Sequence, residues 1–312
     1  LANNFTMLAI AFALFGAVTS IAGIAVNAHA IDIEKAYAKT IMSSFHALFS
    51  VGGLVGAIAG GVMATQQFSV PVSLTVVALS LSLLGAALIT KLFDVTKYNF
   101  KEDHEVIESE RKQHAGKWWR QVMLLGSLMF ICFMCEGAIA DWSAIYMKQE
   151  HSVGPIVAVL AYMIFNACMT IGRLGGDAVI RRFGQVPTLI TGGMMGFAGL
   201  SVGLLSNNLI VALVGFGVIG FGLSVLVPIL VSMAGNLPGG DRNAALARVT
   251  TFGSVGLMVG PGLIGLIADR SDLLNALLVP VGLLVVFSII TLLMHPAIKM
   301  KYRRSEILTS RS

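Results

Sequence analysis

The chain has 312 residues, of which 56% are hydrophobic and 12% charged, with a net charge of +5. Soluble domains carry about 25% charged residues, and a mean hydropathy of +0.84 would leave a soluble fold covered in apolar patches that drive association. Composition therefore excludes a soluble globular protein and a disordered chain, and three cysteines provide no disulfide framework.

A membrane-crossing helix needs about 20 mostly apolar residues. Nine such segments are predicted in chain order, at 5–28, 40–62, 70–92, 119–147, 155–178, 186–206, 208–233, 244–268 and 272–295. No signal peptide is recognised, and Leu1, already inside an apolar stretch, reads as a cut end. The polar stretch 93–118 breaks the rhythm. Its six acids (Asp94, Glu102, Asp103, Glu105, Glu108 and Glu110) stand beside its bases, which suits a solvated linker with room for a short helix rather than a nucleic-acid patch.

If the spans alternate across the membrane, 19 of the 21 Lys and Arg residues fall on one side, leaving only Lys148 and Arg270 on the other. Basic residues collect in cytoplasmic loops, so the central loop and the C-terminus are expected in the cytoplasm. Trp118 and Trp119 precede the fourth span and Trp142 sits near its far end. The 23 residues from Trp119 to Trp142 make about 35 Å of helix, the distance between two interfaces.

An offset of 204 residues superposes Ser50-Val51-Gly52 on Ser254-Val255-Gly256, Val55-Gly56 on Val259-Gly260, Gly61 on Gly265, Gly16 on Gly220 and Ser20 on Ser224. Spans one to three then overlie spans seven to nine, and three spans of the second half lack counterparts. The arithmetic predicts about 85 further residues, three helices, before Leu1 and a whole of twelve spans in two halves.

Three features carry a family resemblance. Gly172-Arg173-Leu174-Gly175-Gly176-Asp177 runs on to Arg181-Arg182-Phe183-Gly184 after the fifth span. Gly260-Pro261-Gly262 with Gly265 marks a glycine-rich penultimate helix. Val26-Asn27 with Glu34, Phe45-His46 with Ser50 and Gly52, and Glu136-Gly137 with Asp141-Trp142 form a narrower set. The chain resembles the major facilitator superfamily, and in its narrower strings a bacterial branch near the sugar–proton symporters. The resemblance implies an all-α polytopic membrane protein with a partial major-facilitator fold. Its expected parts are 1–92 (three helices of the N-terminal half), 93–118 (cytoplasmic central loop), 119–298 (six-helix C-terminal half) and 299–312 (cytoplasmic tail). It also implies alternating access, with Arg173 and Asp177 bracing one conformation. The family's usual Asp-Arg pair is replaced here by Arg181-Arg182, which leaves Asp177 as the acid nearest that loop.

Charge within a bilayer is costly, so intramembrane polar groups are candidates for function. Glu136 lies past the middle of the fourth span, on one face with Cys132, Ala140 and Ser143. It either carries a proton or is a hydrogen-bonded structural acid. Asp141, five residues on, faces another direction and either binds substrate or caps an outer loop with Lys148. His46 either titrates or is structural. Asn27, near the end of the first span, binds a substrate hydroxyl or a neighbouring helix. Asn166, mid-span, needs partners and is a substrate candidate. Trp142, Tyr146 and Tyr162 can stack on a sugar ring or anchor at an interface. Arg173 and Asp177, four apart, pair with each other or with a neighbouring helix. Gly52, Gly56 and Gly60, like Gly256 and Gly260, allow close helix approach, and Pro228 and Pro261 can kink their helices. Gly260 and Pro261, with Arg173, Asp177, Arg181 and Arg182, either gate the transport cycle or serve packing alone.

No ATP-binding loop, metal set or nucleophile–base pair can be assembled, so no enzyme, cofactor or metal is expected. The expected function is secondary transport of a small solute across a bacterial inner membrane, coupled to protons through Glu136, with a sugar or related polar solute as cargo. The alternatives are drug-type efflux, a non-transporting sensor, or an inert truncated fragment. Expected partners are the solute, protons and membrane lipid, with no nucleic acid and a monomeric state.

Overall fold

A computed structural model of the chain describes residues 4–89 and 104–309. The described residues form helices and short connections, without a strand. In chain order the helices are α1 Phe5–Tyr37, α2 Met42–Thr65, α3 Val70–Ile89, α4 His104–Glu150, α5 Pro155–Ala158, α6 Leu160–Phe183, α7 Gln185–Leu205, α8 Leu209–Ser224, α9 Leu226–Gly235, α10 Arg242–Arg270 and α11 Leu273–Thr309. Eight helical stretches among the described residues are long and apolar enough to cross a membrane, with α8 and α9 together forming one. The span expected at 40–62 folds as the 24-residue α2.

The largest differences from expectation are at three ends, and that of α11 is reached in spite of Pro296. α1 runs nine residues past 28, from an Asn4 cap that accepts the Met7 N–H at 2.8 Å to Ala38 in the left-handed region at φ 49°. α4 starts at His104 rather than 119. Residues 104–118 hold no proline and are rich in Glu, Lys and Arg, good helix formers, so the membrane helix propagates outward once nucleated. α11 continues through the expected tail to Thr309. Residues 90–103, which include the end of the expected third span and the first part (93–103) of the expected central loop, lie outside the described residues.

The chain divides into two compact units, Leu1–Lys39 with Phe45–Asp103, and Thr40–Ser44 with His104–Ser312. In the second unit α4 packs on α10, α6 on α8, and α7 on both α8 and α11. Glycine makes these contacts close. A Cβ at Gly256 would strike the Phe130 carbonyl, and one at Gly260 would lie 2.9 Å from the Met134 carbonyl. On α7 and α8, a Cβ at Gly199 would lie 2.6 Å from Ile219 N, and one at Gly215 would meet the Gly199 carbonyl at 2.6 Å and the backbone of Gly203. Gly215→Val is therefore expected to cost at least about 1–3 kcal/mol through overpacking, read as a lower melting temperature in detergent. An unchanged melting temperature would contradict the close packing.

The first unit contrasts with this. Among the described residues, nothing lies within 4 Å of a Cβ built at Gly16, Gly23, Gly52, Gly56 or Gly60. No α3 residue is buried. The close approach expected at Gly52, Gly56 and Gly60 is therefore not made by any described residue, whereas that expected at Gly256 and Gly260 is.

The two prolines act differently. α8 ends at Ser224 and α9 begins at Leu226, so the helix breaks one turn before Pro228. Proline has no N–H to offer the carbonyl four residues back, which here is Ser224. α10 by contrast runs unbroken through Pro261.

Candidate functional site

α6 carries the polar side chains of the second unit on one stripe. Tyr162, Asn166, Thr170, Arg173 and Asp177 fall within an arc of about 80° at 100° per residue. Met163, Leu174 and Ile171, which lie about 20–100° beyond one edge of the stripe, are exposed apolar side chains. At the upper end Tyr162 stacks on Phe165, with ring centres 6.4 Å apart. The Asn166 side-chain amide donates to the Tyr162 carbonyl at 3.5 Å, and Thr170 Oγ1 donates to the Asn166 carbonyl at 2.8 Å.

At the lower end the stripe becomes charged and buried. Arg173 is 7% exposed and Asp177 4%. Asp177 Oδ1 accepts the backbone N–H of Ser43 at 2.9 Å, and Oδ2 accepts that of Ser44 at 2.9 Å. The Ser44 hydroxyl also donates to Oδ2. A carboxylate at a helix N-terminus satisfies orphan N–H groups and complements the helix dipole. Ser43 Oγ donates to the Arg173 carbonyl at 2.7 Å. Arg173 Nε donates to the Ser224 carbonyl at 3.4 Å, the group left without its helical donor by Pro228. Gly172 and Gly176 permit both approaches, since a Cβ at either would collide with Ser224 Oγ or Ser43 Oγ. The ends of α2, α6 and α8 are thus tied together by one Arg–Asp turn.

Glu136, half-buried on α4, interacts electrostatically with Arg173. Its carboxylate makes no hydrogen bond among the described residues, and the Arg173 charge acts on it through space. On the same face, Ser143 Oγ is buried and unpartnered. Asp141 is exposed on another side. Of the two pairings open to Asp177, the one with a neighbouring helix is made, both oxygens accepting from the start of α2.

The remaining candidates are spread out. Trp142 Nε1 donates to the Pro261 carbonyl at 3.1 Å and its ring covers Gly265, so it joins α4 to α10. Trp142→Phe is expected to cost about 1 kcal/mol, a single buried hydrogen bond, with solute KM unchanged. A raised KM at unchanged stability would instead mark it as a binding residue. Tyr146 is buried, with its hydroxyl donating to the Leu204 carbonyl. Arg181 Nη1 donates to the Thr40 carbonyl at 3.0 Å, whereas Arg182 lies over the Phe183 ring at 5.5 Å. Asn27 and His46 are half-buried on α1 and α2 of the first unit. A shallow open depression at Ser201, Val202, Leu205 and Ser206 lies beside the Tyr146 contact, about 15 Å along α4 from Glu136.

Sequence reasoning missed Thr40, Ser43, Ser44 and Ser224. Two signals could have found them. Ser and Thr just ahead of an apolar run mark a helix start needing caps, and counting four back from Pro228 gives Ser224.

Residues 1–236 match the Major Facilitator Superfamily. An uncharacterized MFS-type transporter of Yersinia pestis is 34% identical over 283 residues, covering 88% of this chain and 68% of that protein. An uncharacterized transporter of Sinorhizobium fredii is 29% identical, covering 88% and 70%. The membrane protein MosC of Rhizobium meliloti is 31% identical, covering 87% and 65%. The transporter FucP in its outward conformation shares the fold at a TM-score of 0.51 and 18% identity, over 55% of this chain and 42% of that one. A variant of the E. coli fucose:proton symporter FucP gives 0.51 and 17%, over 57% and 44%. The chain thus spans about two thirds of its curated relatives and less than half of these solved structures. It belongs to the major facilitator superfamily, a family of membrane transporters rather than enzymes, and has a partial major-facilitator fold.

Proposed function

We propose that the protein is a secondary active transporter of a small polar solute, working by alternating access and driven by protons, in a bacterial inner membrane. In this reading Glu136 carries the proton, and Asp177 with Arg173 forms the gate. The observation that carries the reading is the position of Arg173. It feels the charge of Glu136 on one side, and one turn further along α6 Asp177 caps the start of α2. Protonating Glu136 removes the attraction that helps hold the arginine in place, and the cap on Ser43 and Ser44 is then easier to release. Alternating access requires such a contact to be made in one state and broken in another.

The cargo is a sugar or a related neutral polyol, and the transporter acts as a monomer. Asn166 and Tyr162 support that cargo, offering an amide and an aromatic face on the α6 stripe. The charge asymmetry of the loops supports a cytoplasmic central region and C-terminus. The test is accumulation of labelled sugars and polyols by cells expressing the full-length protein, with and without a protonophore. The expected result is accumulation of at least one solute that the protonophore abolishes. Export of hydrophobic cations instead, or no transport of any solute, would overturn the reading.

A further inference from the structure

α4 and α10 meet near the start of their membrane-crossing stretches, Gly116–Glu150 and Arg242–Arg270, around a cluster separate from the α6 stripe. The Arg248 guanidinium lies 5.3 Å from the Trp118 ring centre and 5.1 Å from that of Trp119. The two rings are 6.4 Å apart and inclined by 37°. Trp118 is seated on Gly240, where a Cβ would collide with the indole, so packing fixes its position. Trp119 is 49% exposed, and Lys117, Arg120 and Arg248 are exposed as well. Asp241, the nearest acid along α10, accepts the Ala244 N–H at 3.0 Å as that helix's cap.

A guanidinium stacked on aromatic rings uses its faces. Its five N–H donors lie in the plane, and among the described residues those of Arg248 meet no acceptor. The result is a pre-oriented cationic fork, flanked by two further cations and an exposed indole, at one end of two membrane-crossing helices. Tryptophan settles at the headgroup level of a bilayer, so the fork lies at the depth of lipid phosphates.

We propose that Trp118, Trp119 and Arg248, with Lys117 and Arg120, form a binding site for the headgroup of an anionic phospholipid. The phosphodiester takes two in-plane donors of Arg248 in the bidentate geometry that guanidinium offers. Lys117 and Arg120 supply the remaining positive field, and the Trp119 ring lies along the glycerol and upper acyl chain. A zwitterionic lipid presents the same phosphate but adds a cation of its own to a site with three positive charges, which gives selectivity for anionic lipid. The site is independent of what the protein transports.

The test uses the full-length protein in nanodiscs containing lipid brominated on its acyl chains, read by tryptophan fluorescence. Trp142, about 35 Å along the helix from Trp119, meets brominated lipid of the other leaflet, and its share is the quenching that remains in a Trp118→Phe/Trp119→Phe variant. Brominated phosphatidylglycerol is expected to quench at about fivefold lower mole fraction than brominated phosphatidylcholine, the effect of roughly one surface cation. Arg248→Gln is expected to abolish most of that preference, and Arg248→Lys to retain part of it. The double variant Lys117→Gln/Arg120→Gln lowers the preference with the stacked arginine in place, and serves as the readout should Arg248→Gln not fold. Equal quenching by the two lipids in the unmodified protein, or an undiminished preference in the variants, would overturn the proposal. Loss of the preference on adding inorganic phosphate at constant ionic strength would also overturn it, by assigning the site to a free anion.

Discussion

Asp177→Ala is expected to destabilise the protein by about 3 kcal/mol or more and to reduce solute uptake at least tenfold. The carboxylate is 4% exposed and accepts two backbone N–H groups and one hydroxyl. Hydrogen bonds to a charged group contribute about 1.5–3 kcal/mol each, and an orphaned buried donor costs about 1–3 kcal/mol. Alanine removes the acceptor for Ser43 and Ser44 together. Asp177→Asn keeps one acceptor oxygen and loses the charge, so it should fall between the parent and alanine in stability. Thermal melting in detergent and uptake in cells provide the two readings. If stability falls and uptake persists, the cap is structural and does not gate. If neither changes, the capping geometry is not the protein's own.

The second large effect is expected at Arg173. It is buried, donates to the carbonyl freed by Pro228, and balances Glu136. Arg173→Gln removes the cation whose charge acts on Glu136 and leaves the Ser224 carbonyl without its charged donor, a loss of about 1–3 kcal/mol. The same change in a Glu136→Gln background should cost less, because no charge is left uncompensated. A double-mutant cycle is expected to give a coupling of about 0.5 kcal/mol or more, above the error for independent sites. Purely additive effects would mean that the two charges act independently, and the link from proton to gate would fail.

The helices were legible because runs of about 20 apolar residues have few alternatives in a bilayer. Span positions followed from composition, and the glycines of α10 marked it for a close helix contact, though not for α4 as the partner. Ends were less legible. α4 reaches back to His104 because charged helix formers continue a helix as readily as they form a linker. The functional stripe was half visible. The spacing of Arg173 and Asp177 put them on one face, but spacing could not choose between pairing with each other and pairing elsewhere. The helix start that Asp177 caps, at Ser43 and Ser44, lies some 130 residues away in sequence, beyond the reach of any local spacing. Trp142 reads equally well as an interface anchor or a sugar platform, and only the Pro261 carbonyl beside its N–H gives it a third role. The link between Glu136 and Arg173 joins two helices, so no single-helix pattern contains it.

The measurement that bears most directly on the proposed coupling compares two modes of transport in Glu136→Gln. Accumulation against a gradient needs a proton to be loaded and released, whereas exchange of labelled for unlabelled solute needs only the conformational change. With the solute that the full-length protein accumulates, the variant is predicted to lose accumulation while exchange continues at a rate within about threefold of the parent, since glutamine mimics the protonated acid in size and charge. Accumulation that survives in Glu136→Gln would contradict the account, and with it the role given to this carboxylate.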